Sequence, residues 1–284
     1  NPIIELHLFS ETDILDKKGL EICLENCESI KRYQPRFIVH FPYQSIPGRI
    51  FDPLVDGDES VLKALDFTKT IKADSIVVHR YCCLERKYSF DEAEQLFNQR
   101  LEGWANEAKQ RNLSVFVENC GFLWLPSYFK TSFVVSPLDH FFPWEIRRFN
   151  AFLEAEGIDN VFPIIDIAHA TLSINMLRLW YKFREFRSDK RFANITMAEE
   201  KESQSLTIDD FIKEAQSPYL HISDSVLFRD NDKYPKNIDI YLKSEGLTLG
   251  RGNIDFDGIM NIILDNQIDT TFILEIDPID GNQN

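Results

Sequence analysis

The sequence of 284 residues is 44% hydrophobic, so the chain is long enough to form one domain with a large core. Its formal net charge of −15 disfavours broad, non-specific binding to nucleic acid. No apolar stretch approaches the roughly 20 residues that a membrane-spanning helix requires, so no membrane partner is expected. The five cysteines are an odd number without a CxxC zinc pattern, which indicates reduced packing residues and a cytoplasmic location.

Taken in chain order, seven short apolar segments each end near a polar or ionisable residue. Short apolar runs with this boundary are typical of strands that are buried on both faces. The predicted strands are Ile3–Phe9, Phe37–Pro42, Ser75–Arg80, Ser114–Asn119, Pro163–His169, Tyr219–Asp224 and Thr271–Asp277.

Apolar residues spaced three and four apart predict helices between these strands. The predicted helices are Asp16–Tyr33, Ser60–Ile71, Phe90–Arg111, Pro143–Glu156 and Phe256–Asn266. Strands that alternate with helices at this rhythm form βαβ units and a parallel sheet. Because ionisable groups gather at the strand ends, the pattern favours a TIM-type (β/α)8 barrel of the α/β class.

A closed barrel of this type needs one strand more than the sequence shows. The missing first strand is expected to lie upstream of Asn1 and to pair with Ile3–Phe9, since natural sheets avoid bare edges. If that strand is absent, a loop, a tail or a partner subunit is expected to cover the edge. A homo-oligomer is therefore one of the possible arrangements. We interpret residues 1–284 as a single barrel domain with an insertion or mobile loop around 183–218, centred on 192–206.

Seven ionisable residues end the predicted strands: His40, His79, Glu118, Asp166, His169, His221 and Glu275. Strand ends converge on the axis of a barrel, so residues distant in sequence become neighbours. Imidazoles and carboxylates together suit Zn²⁺ or Mn²⁺ first, with Fe²⁺, Mg²⁺ and Co²⁺ as further candidates. For Asp166 and His169 an alternative stays open, in which the carboxylate only caps the next helix and the imidazole is satisfied locally.

The order of the motifs resembles that of the xylose isomerase-like TIM barrel superfamily, which includes endonuclease IV (AP endonuclease family 2) and related sugar phosphate isomerases and epimerases. The resemblance covers most of the chain, from Ile3 to Asp277. The motifs are HFPY at 40–43, VH at 78–79, EN at 118–119, DIAH at 166–169, HISD at 221–224, LGRGNIDF at 249–256 and the strand-end Glu275.

In the isomerases and epimerases, this resemblance implies one divalent metal held by four residues, of which the two glutamates also move protons. The matching residues here are Glu118, Asp166, His221 and Glu275. The position of His169 contacts substrate in these enzymes.

In endonuclease IV, positions matching His40 and His79 complete a second metal site that Glu118 bridges. A third zinc there uses His169 and two further ligands, whose places fall at about Ser244 and Gly246 in this sequence. Neither residue is a metal ligand of the required kind, so the resemblance implies an incomplete three-metal site.

Two further segments are candidates for substrate contacts. Residues 249–256 form a glycine turn before a helix with Asp255 as its N-cap, and the turn could place Arg251 or backbone N–H groups at a substrate phosphate. Trp124 is a candidate wall of the substrate site, with core packing as the equal alternative.

The leading hypothesis is a metal-dependent isomerase or epimerase of a sugar, polyol or sugar phosphate, in which Glu118 and Glu275 exchange a carbon-bound proton through an enediolate. The alternative is a two-metal phosphoesterase that also uses His40 and His79 and acts on nucleic acid or a small phosphate ester. A third class, a binding protein on a degenerate barrel, is disfavoured because the ligand residues are all present.

Overall fold

The computed structural model describes residues 2–42, 44–46, 49–80, 88–121, 138, 141–184, 195–229, 239–242 and 244–276. The strands are β1 Ile3–His7, β2 Arg36–His40, β3 Gln44–Ile46, β4 Arg49–Ile50, β5 Ser75–His79, β6 Ser114–Glu118, β7 Val161–Asp166, β8 Tyr219–Ile222 and β9 Thr271–Leu274. The helices are α1 Thr12–Leu15, α2 Lys17–Ile30, α3 Glu59–Thr70, α4 Phe90–Gln110, α5 Pro143–Ala155, α6 Ile167–Lys182, α7 Met197–Ser203, α8 Ile208–Ala215, α9 Asp239–Leu242 and α10 Phe256–Asp265, with a 3₁₀ turn at Lys31–Tyr33.

The chain divides into two compact units, residues 1–118 with 151–162 and residues 119–150 with 163–284. The first unit contains a parallel sheet in which β1, β2, β5 and β6 are neighbours in that order. The register sets His7 opposite His40 and His79 opposite Glu118. Parallel strands in this register bring the ionisable residues at their carboxyl ends to one edge of the sheet.

The core of the first unit forms where α3 and α4 pack onto the sheet. Val39, Leu65 and Leu101 are fully buried there. Helix α4 begins at Ser89, whose hydroxyl accepts the Glu92 N–H while the Glu92 carboxylate accepts the Ser89 N–H. This capping box satisfies two backbone donors at the helix start, so that α4 is fixed at the end nearest the carboxyl ends of the strands.

The second unit contains β7, β8 and β9 as a parallel set, with Asp166 opposite His221 and Ile222 opposite Leu274. Helix α6 follows β7 without a loop, because Asp166 ends the strand and also caps the helix. Most residues of α6 from Ile167 to Leu179 are buried. A helix that is buried on nearly every side lacks the one-sided apolar period that sequence analysis detects, which explains why α6 was not predicted.

The seven predicted strands and the five predicted helices are confirmed, with ends that differ by a few residues. One placement was wrong: His169 lies in the first turn of α6, and not at a strand end, since Asp166 starts the helix three residues earlier. Within the segment interpreted as a mobile loop or insertion, α7 and α8 are helical, while residues 185–194 lie outside the described residues. None of the helices in the described part of the chain combines the length and apolar character needed to span a bilayer.

A matched pair of leucine substitutions tests the core of the first unit. Leu101 is 0% exposed and Leu15 is 45% exposed. We expect Leu101→Ala to lower the free energy of unfolding by about 2–5 kcal/mol, because a buried leucine loses its contacts and leaves a cavity. Leu15→Ala should cost well under half as much. Urea unfolding of both variants measures the difference, and equal losses would contradict this packing.

Candidate metal centre

Three ionisable side chains meet at the carboxyl ends of β2, β5 and β6 in the first unit. His40 Nε2 lies 3.1 Å and His79 Nε2 lies 3.6 Å from the same oxygen, Glu118 Oε2. The two imidazole rings are tilted by 50°, so their nitrogens can point toward a common position. The Glu118 side chain is fully buried, and a buried carboxylate requires a positively charged or hydrogen-bonding partner.

The hydrogen bonding of His40 fixes the role of each ring nitrogen. The Phe41 carbonyl can only accept, so His40 Nδ1 donates its hydrogen across 2.9 Å. In a neutral ring Nε2 is then an acceptor that faces the Glu118 carboxylate, which also only accepts. Two acceptors at this distance repel each other unless a proton or a metal cation lies between them. The donor set therefore fits a cation.

Two neighbouring residues that sequence analysis missed extend this group. Glu5 and His7 lie two residues apart on one face of β1, and His7 Nε2 is 3.1 Å from Glu5 Oε1. The His7 ring stacks on the His40 ring with centroids 4.6 Å apart and planes 13° apart. Ring nitrogens in stacked planes do not converge on one point, so Glu5, His7 and His40 together are a poor cation site although they lie close together. The sequence signal was the alternation Glu-x-His at the end of a strand.

Three more ligand-type residues meet in the second unit. Asp166, His221 and Glu275 each offer a ligand atom, and these atoms lie within 4.8 Å of one another. His221 is fully buried, and its Nδ1 atom is 3.0 Å from Glu275 Oε2. The Glu275 side chain is about one-third exposed, at 32%, so solvent or a ligand can reach it.

Asn119 ties its own segment to the end of β7. Its side-chain amide donates to the Asp166 carbonyl at 3.1 Å and accepts the Asp166 N–H at 2.7 Å. The Asp166 Oδ1 atom in turn accepts the His169 N–H as the N-cap of α6. The local capping role foreseen for Asp166 is therefore present, and it uses only one of the two carboxylate oxygens.

His169 is held between two oxygen atoms. Its Nδ1 atom donates to the Asn119 carbonyl at 2.9 Å, and its Nε2 atom lies 3.3 Å from Glu245 Oε2. Sequence analysis considered the residues on either side of Glu245, and missed Glu245 itself. Ser244 is engaged with Ser225 Oγ and the Val226 N–H, both at 2.9 Å.

The glycine turn at 249–256 encloses a protein carboxylate. Asp224 is buried, and its two side-chain oxygens accept the N–H groups of Gly250, Gly252 and Ile254. Because these N–H groups already donate hydrogen bonds to Asp224, the expectation that they bind a substrate phosphate was wrong. Arg251 is exposed on the same turn and stays a predicted substrate contact. The predicted N-cap at Asp255 is confirmed, since its side chain accepts the Gly258 N–H.

The remaining predicted contact, Trp124, lies outside the described residues. Cys23 and Cys27 are free thiols. Burial, followed by the charge of Asp13, raises the pKa of Cys23 to about 11, so this thiol stays protonated at neutral pH.

The turn around Asp224 generates a test with two glycines. A Cβ atom at Gly252 would lie 2.0 Å from the Ser225 carbonyl oxygen, whereas one at Gly250 would meet nothing within 4 Å. Gly250→Ala should cost only roughly 1–2 kcal/mol, because its φ of +85° strains an alanine. Gly252→Ala should be far more destabilising, since backbone must move away from Asp224. Thermal unfolding compares the two, and an equal change in Tm would contradict this packing.

Comparison with known proteins gives the family. The sequence profile of the xylose isomerase-like TIM barrel family matches residues 28–283. No curated protein matches the chain.

Solved structures with the same fold include a D-tagatose 3-epimerase-like protein, at 17% identity and a TM-score of 0.56, over 97% of this chain and 82% of that one. The D-allulose 3-epimerase of Methylomonas sp. has 16% identity and a TM-score of 0.56, over 98% of this chain and 74% of that one. The family 2 AP endonuclease of Brucella melitensis has 9% identity and a TM-score of 0.51, over 97% and 94%.

The profile match covers most of the chain, and the structural matches confirm the predicted fold class, an α/β barrel of the TIM type. At these identities the solved structures bear on the fold alone. The chain belongs to the xylose isomerase-like TIM barrel family.

Proposed function

We propose that this chain is a divalent-cation-dependent isomerase or epimerase of a sugar, a polyol or a sugar phosphate. The observation that carries the proposal is the set of ligand atoms offered by Asp166, His221 and Glu275, within 4.8 Å of one another in the second unit. Two carboxylates and an imidazole suit Zn²⁺ or Mn²⁺. Membership of the family supports the same conclusion, since its profile spans all three residues.

In this proposal Glu118 completes the ligand set as its fourth member. Its support lies in the first unit, where the buried carboxylate faces two imidazole nitrogens at a strand end. The cation would supply Lewis-acid polarisation of a substrate carbonyl and its neighbouring hydroxyl. His169, with Nδ1 fixed by Asn119, presents Nε2 for hydrogen bonding to substrate, and Glu245 faces that nitrogen.

The proton transfer is assigned to Glu118 and Glu275. One carboxylate removes the proton from the carbon next to the carbonyl, and the other returns a proton to the opposite face of the enediolate. His221 Nδ1 lies 3.0 Å from Glu275 Oε2, while burial holds Glu118 away from bulk water. A base that is one-third exposed can exchange its proton with solvent, which makes solvent isotope incorporation the natural assay.

The first substrates to test are free ketoses. Proteins of the same fold include a D-allulose 3-epimerase and an L-ribulose 3-epimerase, and both names refer to ketose chemistry. A sugar phosphate stays within the proposal through the exposed Arg251. A cytoplasmic location and a homo-oligomeric state stay predictions.

Replacing either proton carrier by glutamine tests the mechanism. Glu118→Gln and Glu275→Gln keep the size and one oxygen donor but remove the charge and the basicity. We expect each to lower kcat by about 10²–10⁴-fold on a ketose substrate, the usual contribution of a positioned acid or base. In heavy water the wild type should incorporate deuterium next to the carbonyl, and the two variants should not. Mass spectrometry measures the incorporation.

Two controls separate this mechanism from general damage. Glu21→Gln changes an exposed carboxylate of α2 and should leave kcat unaltered. His169→Ala should mainly raise KM, because this residue contacts substrate in the proposal and does not carry the proton. Near-normal turnover of both proton-carrier variants with metal bound would exclude the proposed proton transfer.

The second candidate is a two-metal phosphoesterase, and the group His40, His79 and Glu118 favours it. Their ligand atoms lie within 4.8 Å of one another, and the donor pattern of His40 fits a cation. A net charge of −15 and the engagement of Ser244 within the fold both weigh against cleavage of DNA.

Metal content and one nuclease assay separate the two candidates. One equivalent of Zn²⁺ per chain, lost in Asp166→Asn and still present, at weaker affinity, in a double alanine variant of His40 and His79, is the result expected of the isomerase. A second equivalent that is lost in the double variant would favour the phosphoesterase. Metal-loaded protein at low salt, where electrostatic binding is strongest, should cleave abasic duplex DNA negligibly. Efficient incision would rank the phosphoesterase first.

A further inference from the structure

We infer that Glu5 and His7 are positioning residues for Glu118, acting through the His40 ring. The inference deepens the proposed function and rests on its assignment of Glu118 as a cation ligand. The residues form one continuous series in the first unit, in which Glu5 contacts His7, His7 stacks on His40, and His40 faces Glu118.

The strand register of the sheet places the members of this series next to one another. Glu5 and His7 share a face of β1, because side chains two residues apart in a strand point the same way. His7 is the register partner of His40 on β2, so the two rings are side by side and stack at 4.6 Å. His79 and Glu118 are register partners on β5 and β6.

Stacking on His7 restrains the one rotation of the His40 ring that its hydrogen bond to the Phe41 carbonyl still allows. That bond fixes Nδ1 but still allows the ring to rock about the axis of the bond. A parallel ring at 4.6 Å resists this rocking, because tilting would force the two rings into contact. The Nε2 atom is thereby kept 3.1 Å from Glu118 Oε2.

Glu5 restrains the His7 ring, as His7 restrains the His40 ring. The Glu5 side chain is 3% exposed and its carboxylate is 3.1 Å from His7 Nε2, whereas the His7 side chain is 37% exposed. A half-exposed imidazole would otherwise rotate in solvent. The close approach of the buried carboxylate restricts rotation of the His7 ring at the outer end of the series. Groups that orient metal ligands in this way typically contribute about 10–100-fold to metal affinity.

The test is a titration of the apoprotein with Co²⁺ alone, which reports ligand geometry through its visible absorption spectrum. His7→Ala removes the ring and should weaken Co²⁺ binding by about 10-fold and alter the spectrum. His7→Phe keeps a planar ring and should restore affinity to within about three-fold of the wild type, because stacking and not hydrogen bonding is the proposed contribution. Glu5→Gln should fall between these two. His7→Asn is a second variant without a ring, in case His7→Ala fails to fold.

Two further variants distinguish failure of this inference from failure of the proposed ligand role of Glu118. Asp159→Asn breaks an exposed ion pair with Lys109 in the same unit and should leave the Co²⁺ affinity unchanged. Glu118→Gln measures whether Glu118 is a ligand at all.

If Glu118→Gln weakens Co²⁺ binding while both ring-lacking variants bind normally, the inference is overturned and the proposed function stands. Equal losses in His7→Phe and His7→Ala also overturn it. If Glu118→Gln has no effect, the ligand assignment and the inference fail together.

Discussion

The burial of two carboxylates is the constraint on which the rest of the structure depends. Glu118 is 0% and Asp166 is 2% exposed, and each ends a strand whose other buried side chains are apolar. An ionised carboxylate in such a position is costly unless nearby groups compensate for lost hydration. The first unit supplies imidazoles around Glu118, and the second supplies backbone and amide groups around Asp166. The strands and their register place these compensating groups next to the two carboxylates.

The two carboxylates are compensated in chemically different ways. Around Glu118 the contacts include His40 and His79, whose charge depends on a proton or a metal. Around Asp166 the contacts include the His169 N–H, a permanent neutral donor, and Asn119 holds the local backbone. A carboxylate has two oxygens and about four lone-pair sites, so capping a helix does not prevent Asp166 from also binding a cation. Capping and metal binding are therefore compatible roles, although the sequence presented them as alternatives.

Local patterns predicted the strands and their ionisable ends, because a run of apolar residues that stops at His40 or Glu118 is visible without any knowledge of the fold. They could not predict α6, whose burial on nearly all sides removes the helical period. They also missed His7 and Glu245, since each gains its meaning from a partner that is distant in sequence. The glycine turn was misinterpreted for the same reason. Nothing within residues 249–256 shows that Asp224 consumes its N–H groups.

Glu245 bears on the choice between an isomerase and a phosphoesterase. By resemblance, a third zinc would need His169 and ligands at the positions of Ser244 and Gly246. In this chain the Ser244 hydroxyl is bonded to Ser225, and Gly246 has no side chain, while the Glu245 carboxylate lies 3.3 Å from His169 Nε2. That carboxylate is 42% exposed, so it is open to solvent and to a substrate hydroxyl. A partly exposed carboxylate can accept hydrogen bonds from the hydroxyl groups of a neutral polyol. It would repel a phosphate group placed next to His169, because both groups carry negative charge at short range. The charge of Glu245 therefore supports a hydroxyl, and not a phosphate, as the group that faces His169 in the proposed substrate.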